Sequence, residues 1–548
     1  MAESNNNSML NRFFHYADRG GTLGGEIAAG LGIFFLSACG IFINMQLIAK
    51  LTISGAYSTA NISQIAANGE IYAQNYFVSM LLAFAGSLLI GLVARLPLVQ
   101  TAGLGLSTVL VSMVGTGTGL TYYNLLAVCF FSAILYAAVV CIPGVNKALF
   151  NAVPSPVRRA LPAAAGLMMA WIAMQLTGLV SVNGSSLSIY GTGAVLEQAS
   201  DSVALPGLVS FGSYSYATDK FHPLLLVCAL SVVVTFAAWL LLRRSKRPYL
   251  FSLLTGTVFF LVVSICAVGI DWKTFNFSMD FLWGRLWMVG SEDAMHTHLS
   301  SVLSNLNLGR VFSEGLDFSA YTENGGSVPM LLVTGVLTFL AVYLFDAEAT
   351  LRCVADSTGA FSADGQEGVR LAMACNAGMN ILAPLAGGAP MSISKTSCAG
   401  AEDGARSGLA SVVASIGFFI SAFVWIVPFL FATITSYDIT FNLYGHYGAV
   451  LQLLCECSFA VADAVMVMVG LSMIARAARL DWTNTMESIP FTVTVAAAFF
   501  LSNLACGAAA GIVAYLLLCA GGRGEKPSPV QLIGGAFSLV LLILSAVW

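Results

Sequence analysis

The sequence predicts an all-α polytopic membrane protein, with about fourteen transmembrane spans arranged as a 7+7 inverted repeat. Three observations carry that prediction. Of the 548 residues, 58% are hydrophobic and only 9% are charged, against roughly 25% charged in soluble domains. So few polar residues cannot cover a soluble protein of this length. Apolar segments then follow one another near 25–47, 76–95, 98–117, 121–143, 156–180, 222–243, 249–270, 327–351, 369–386, 408–432, 455–475, 488–519 and 530–547, with a Gly/Pro-rich broken span at 387–405. Most are close to the roughly 20 residues that cross a bilayer. Finally, RALPAAAGLMMA (159–170) resembles VADAVMVMVGLSMIA (461–475), and LVQTAGLGLST (98–108) echoes LAPLAGGAPMSIS (382–394). Both pairs join segments about seven spans apart, the spacing of a repeat.

In chain order, segment 1–22 is polar and lacks the apolar centre of a secretory signal, so it is expected to stay cytoplasmic. Met9 to Tyr16 suits a short interfacial helix with Phe13 and Phe14 among the headgroups. The first half is expected over 23–270, with a polar external connection at 181–221. A second external connection, 271–325, leads to the second half at 326–548. Arg12, Arg19, Arg158, Arg159, Arg243, Arg244, Lys246, Arg247, Arg370, Arg476 and Arg479 then all fall on one side, the cytoplasmic one under the positive-inside rule. Arg523 and Lys526 join them only if 488–519 is a broken pair rather than a single crossing. The net charge of −4 offers no case for nucleic-acid binding.

The segments that carry chemistry are those that break the pattern. Thr101-Ala102-Gly103-Leu104-Gly105 and Gly387-Gly388-Ala389-Pro390 cannot continue as stable helix. Short extended segments are therefore expected in the broken third and tenth spans. Backbone groups freed at membrane depth survive only inside protein or beside a wet cavity. Two half-helix N-termini would present partial positive charge to a ligand there. In the eighth span, Val328 to Leu351, sit Asp346 and Glu348. A carboxylate costs about 2.5–3.5 kcal/mol at a helix centre on insertion scales, which points to a solute or ion pathway. Tyr343, Asp346 and Thr350 share a face, with Glu348 about 200° round from Asp346. Asp346 is expected to accept N–H groups of a heterocycle and Tyr343 to stack on or hydrogen-bond to it, while Glu348 pairs with a basic group or serves in coupling. Ser392 and Ser394 alternate before a half-helix, and Lys395 adds a second charge at depth. Its ammonium could neutralise an acid, meet an anionic ligand or snorkel to an interface. The cysteines are scattered singly as core fillers, and Cys455-Glu456-Cys457 is too short a spacing for a zinc site. His296 and His298 read as solvated loop residues. No metal, cofactor or nucleophile–base pair is implied, so an enzyme is not expected.

NRFFHYADRGGTLGGEIAAGLGIFFLSACGIFINMQLI, QTAGLGLST, LFDAEATL, GARSGLASVV and DWTNTMESIPFTVTVA together resemble the azaguanine-resistance-type (AzgA-like) purine permease branch of the nucleobase–cation symporter-2 family, of which this chain would be a divergent member. The resemblance implies a core domain that moves against a gate domain, often in a dimer, with substrate between the third and tenth spans and held from the eighth. Asp346 matches the family's ligand-binding acid, and Asn44 and Gln46 match a polar pair in the first span. Four positions depart. Thr396, preceded by Lys395, stands where a second acid is usual; Tyr343 replaces an acid, and Ser107 and Cys506 each replace an Asn.

The expected function is thus secondary-active transport of a purine-like nucleobase or related heterocycle across the plasma (inner) membrane, with a co-transported proton. Its expected ligands are Asp346, Tyr343, Thr396, Lys395, Ser394, Ala102, Gly103, Ser107, Asn44 and Gln46, with Asp346 and Glu348 in coupling. The alternative is transport of a small anion held by Lys395 and the helix N-termini.

Overall fold

The computed structural model describes residues 9–53, 69–113, 119–142, 151–176, 181–182, 209–210, 223–245, 247–268, 308–359, 367–423, 464–475, 480–501, 503–522 and 526–547, with a few single positions between them. Within these residues the chain is mostly helical. After the short helix α1 (Met9–Phe14) come α2 (Leu23–Ile53), α3 (Gly69–Leu89, ending in a π-helical turn), β1 (Gln100–Ala102), α4 (Leu104–Met113), α5 (Tyr122–Cys141) and α6 (Ser155–Leu176). The strands β2 (Ser181–Val182) and β3 (Val209–Ser210) precede α7 (Pro223–Leu242) and α8 (Pro248–Val268). Then follow α9 (Arg310–Ser313), α10 (Ser319–Glu323), α11 (Val328–Thr358), α12 (Glu367–Leu385), β4 (Met391–Ile393), α13 (Thr396–Glu402) and α14 (Gly408–Phe423). The last helices are α15 (Ala464–Ile474), α16 (Thr485–Phe500), α17 (Leu504–Ala520) and α18 (Pro529–Val547). By length and composition, Phe77–Ala94, Tyr122–Cys141 and Val328–Thr358 are each long and apolar enough to cross a membrane.

Local chemistry explains the breaks. Thr121 and Asn124 cap α5 reciprocally, each side chain serving the other's backbone N–H. The eighth predicted span runs on to Thr358, where Gly359 takes the left-handed conformation that ends a helix. Residues 488–519 resolve as a broken pair. Asn503 accepts from the backbone N–H groups of Ala505 and Cys506 and so starts a new helix, α17, after α16 has ended. Gly507 lies against Ala498 and Gly511 against Thr494, an antiparallel hairpin. The end of α17 therefore returns to the side on which α16 began, and α16, α17 and α18 make three helices where two spans, 488–519 and 530–547, were expected.

The two long connections also contain structure. Within 181–221, β2 pairs antiparallel with β3. In 308–325, α9 and α10 dock on the start of α5, where the Asn124 carboxamide donates to the carbonyls of Gly315 (3.2 Å) and Asp317 (2.7 Å). His296, His298, Cys455, Cys457, Arg476, Arg479, Arg523 and Lys246 lie outside the described residues, as does the side chain of Gln46.

Packing comes in matched pairs. α14 packs on α3 and α2, while α5 packs on α12 and α11; α7 and α8 form a hairpin, as do α16 and α17. Two acids tie the far end of α13 into this frame. Asp403 accepts from the first-turn N–H groups of α8, Tyr249 at 3.1 Å and Leu250 at 3.0 Å. Glu26 on α2 accepts from the N–H groups of Arg406 (2.8 Å) and Ser407 (3.3 Å).

Candidate functional site

The centre of the molecule is a two-stranded antiparallel ribbon. β1 pairs with β4 in the register Gln100↔Ile393, Thr101↔Ser392, Ala102↔Met391. The ribbon is extended at both ends by Gly103 N–H to Pro390 C=O (3.0 Å) and Ser394 N–H to Val99 C=O (2.8 Å). Each strand leads directly into a short helix, α4 or α13. At Gly103 the second strand comes so close that a Cβ would lie 2.9 Å from the Cβ of Ser392. Extended backbone at membrane depth must find partners for its outer edges, and here side chains supply them. Ser87 of α3 accepts from Gln100 N–H (3.0 Å) and donates to Gln100 C=O (3.3 Å). On the other edge the Asn380 carboxamide of α12 accepts from Met391 N–H (2.8 Å) and donates to Met391 C=O (2.8 Å), acting as a third strand.

Asn380→Ala should therefore leave two buried main-chain groups of Met391 short of partners, at about 1–3 kcal/mol each. The expected outcome is a lower thermal midpoint in detergent and reduced uptake. Asn376→Ala is the comparison: Asn376 holds the same carbonyl only at 3.4 Å, so its loss should matter less.

Beside the ribbon lies a cavity of about 40 Å³, room for about three waters at 10–15 Å³ each. One wall is polar, with Thr101 and Ala102 of β1, Ser392 of β4, and Ser394, Lys395 and Thr396 at the start of α13; Asp346 of α11 and Ser37 of α2 complete it. The opposite wall is apolar, with Met168, Met169 and Ile172 of α6, Met466 of α15 and Leu504 of α17. The cavity thus sits between the ribbon with its supporting helices and the group α6, α15 and α17.

Its chemical centre is an ion pair. Lys395 Nζ donates to Asp346 Oδ1 at 2.6 Å, with the Asp346 side chain buried and that of Lys395 partly so. A lysine at the start of a helix opposes the helix dipole, and Asp346 offsets both that and the cost of the buried charge. Asp346 Oδ2 is buried and accepts no hydrogen bond. Around the pair, Thr396 Oγ1 shares hydrogen bonds with Ser37 Oγ (2.5 Å) and Ser394 Oγ (2.7 Å). Thr350 Oγ1 donates to Ile393 C=O at 3.1 Å, which fixes α11 against β4.

The sequence-derived residues fall into four groups. Asp346, Lys395, Ser394, Thr396 and Ala102 are brought together around the cavity. Gly103 and Ser107 lie on the same broken segment, Gly103 at the ribbon's end and Ser107 buried with its backbone N–H on Gly103 C=O. Asn44 is fully buried on α2, one turn beyond Gly40, which lines the cavity. Tyr343 and Glu348 are not brought to the cavity. The Tyr343 ring stacks on Tyr136 of α5 at 5.5 Å, behind the site. Three residues along a helix is a 60° offset, enough to turn it aside from Asp346. Glu348 pairs with Arg352 one turn on, at 3.3 Å. Sequence reasoning missed Ser37, Ser87, Asn380 and the apolar wall. Of these, only the Met168-Met169 pattern had drawn notice, as a repeat.

No family model matches the chain. Among curated proteins it is 23% identical over 530 residues to the guanine/hypoxanthine permease PbuG of Bacillus subtilis (strain 168), covering 95% of this chain and 97% of that one. It is 21% identical over 551 residues to the adenine permease AdeQ of Escherichia coli (strain K12), covering 99% and 98%. Among solved structures, the murine Slc26a9 anion transporter in the inward-facing state aligns with a TM-score of 0.47 at 12% identity, over 91% of this chain and 69% of that one. Both of these relatives, matched over nearly their whole length, are permeases of purine bases rather than enzymes, and the chain is, with them, a multi-pass membrane protein.

Proposed function

We propose that the protein is a secondary-active transporter that carries a purine-like nucleobase across the plasma membrane. The observation that carries this reading is the Asp346–Lys395 pair, held in a cavity at the crossing of two interrupted spans. Such a site suits a small, flat, uncharged heterocycle. The polar wall offers hydrogen bonds to ring edges, and the methionine-rich wall offers apolar contact to ring faces. The names of the relatives agree with a base as cargo.

In this reading the ribbon and helices α2–α5 and α11–α14 form a core, and α6–α8 with α15–α17 form a gate. The matched packing of α3–α14 with α12–α5, and of the α7–α8 hairpin with α16–α17, supports an inverted repeat that ends at α17 and leaves α18 outside it. The core moving against the gate would expose the cavity to each side in turn. A proton is the proposed driving force. Lys395 already neutralises Asp346, so the coupling step is placed where that pair opens and the freed carboxylate takes a proton. An anionic cargo is the weaker reading, because the ammonium it would need is committed to Asp346.

Uptake of labelled bases, nucleosides and small anions into cells lacking their own purine permeases tests the proposal. Base uptake that a protonophore collapses is the expected result. Uptake of anions alone would overturn the base, and base uptake indifferent to the protonophore would overturn the coupling.

A further inference from the structure

Resting on the core–gate reading, we propose that Glu402 and Asp403 form a latch that clasps the gate to the core, and that each transport cycle must open it. Glu402 is the last residue of α13 and Asp403 ends the helix, while Lys395 and Thr396 at its other end line the cavity. Seven residues of helix span only about 10 Å, so the cavity end and the latch end move as one piece. The turn that follows is fastened to the core. Glu26 of α2 accepts from the N–H groups of Arg406 and Ser407. The Arg406 guanidinium donates back to the carbonyls of Ala401 (2.6 Å) and Ala405 (3.0 Å).

What the latch holds is the start of α8, a gate helix whose Ser252 Oγ donates to Met468 Sδ of α15 at 4.0 Å. The first residue of α8 is Pro248, which has no N–H, and the side chain of Arg247 before it has no acceptor to cap a helix. The first free donors, Tyr249 and Leu250, therefore carry the partial positive charge of the helix end. Asp403 supplies the missing cap from the other domain, one carboxylate oxygen to each N–H, at 3.1 and 3.0 Å. The Tyr249 hydroxyl donates to Glu402 Oε2 at 2.9 Å, and Arg247 donates to Gly24 C=O of α2 at 3.2 Å. All four bonds run from the α7–α8 turn to the core. They lie at the end of the molecule that bears the exposed Arg243 and Arg244, where water can take over the partners of an opened helix end.

A Cβ on Gly32 of α2 would lie 3.8 Å from the Cβ of Leu250 and 3.7 Å from Asp403 Oδ2. The first of these is the Cβ separation of an unstrained disulfide. Gly32→Cys/Leu250→Cys, oxidised with copper phenanthroline in proteoliposomes, should lose base uptake and regain it with dithiothreitol. The parent protein and each single variant, treated alike, should keep it. A second measurement needs no cargo: alkylation of Gly32→Cys by N-ethylmaleimide in the purified full-length protein, followed by mass spectrometry of that peptide. Asp403→Asn keeps the shape of the side chain but turns an amide donor on one of the two N–H groups, so alkylation should quicken about tenfold. A bridge that forms and leaves uptake intact would overturn the movement of α8 against the core, and the latch with it. Lost uptake with an unchanged alkylation rate would overturn the latch and leave the core–gate reading standing. Failure of any bridge to form would show that Gly32 and Leu250 do not meet, which also overturns the latch. No base uptake by the reduced protein would overturn the nucleobase reading alone, with the alkylation rate still deciding the latch.

Discussion

Asp346→Ala is expected to abolish base uptake and also to destabilise the protein by about 3–5 kcal/mol, the cost of breaking one side of a buried ion pair. The two effects have different causes and can be separated. Stability falls because Lys395 would keep its charge at membrane depth, at the start of a helix, with no counter-charge at 2.6 Å. Uptake falls because the acceptor at Oδ2 is gone. The double variant Asp346→Leu/Lys395→Met removes both charges, and buried pairs replaced by apolar residues are often neutral in stability or better. It should therefore recover the thermal midpoint of the parent protein while taking up no base. If the double variant transports, Asp346 is not a ligand; if the single variant is as stable as the parent, the pair does no structural work. Surface expression and detergent unfolding curves, read beside uptake, distinguish the cases.

The helical, multi-pass character was legible because membrane physics writes it in large letters. Spans announce themselves by length and hydrophobicity, and charged residues inside them are rare enough to mark a site. Asp346 and Lys395 were found that way, on segments far apart in the chain. That they pair with each other could not be read, since the three options open to Lys395 differ only in tertiary geometry. The ribbon was legible as a break but not in register. The resemblance between 98–108 and 382–394 sets Gly103 against the Gly387–Gly388 region, whereas β1 in fact pairs with Met391–Ile393. Gly387 and Gly388 belong to the turn before the strand, and the change from strand to helix falls at Ser394–Lys395. Ser87 and Asn380 escaped notice because a single polar residue in an apolar helix carries no period; their role exists only once a strand edge lies beside them. The division of 488–519 was legible in principle. Asn503 is a strong helix-starting residue within an apolar stretch, and hydropathy averaged over a span hides such a local signal.

Gly470→Val is expected to be the most damaging substitution away from the cavity. The similar motifs at 159–170 and 461–475 meet in space, with Gly166 of α6 crossing Gly470 of α15 backbone to backbone. A Cβ on Gly166 would lie 2.6 Å from the carbonyl oxygen of Gly470, and one on Gly470 would press equally on the carbonyl of Gly166. Neither obstacle is a side chain that could swing away. Close approach through small residues is a standard way for membrane helices to associate, and overfilling such a contact costs about 1–3 kcal/mol where some relaxation is allowed. Relaxation here is costly to function as well. Met466 lies one turn before Gly470, and Met168 and Met169 follow Gly166, so forcing the helices apart displaces the apolar wall of the cavity. Both a lower thermal midpoint and loss of uptake should result. Gly378→Ala provides the contrast: a Cβ there meets nothing within 4 Å, and exchanging glycine for alanine within a helix favours the helix by about 1 kcal/mol. Equal tolerance of the two substitutions would mean that α6 and α15 do not cross at these glycines.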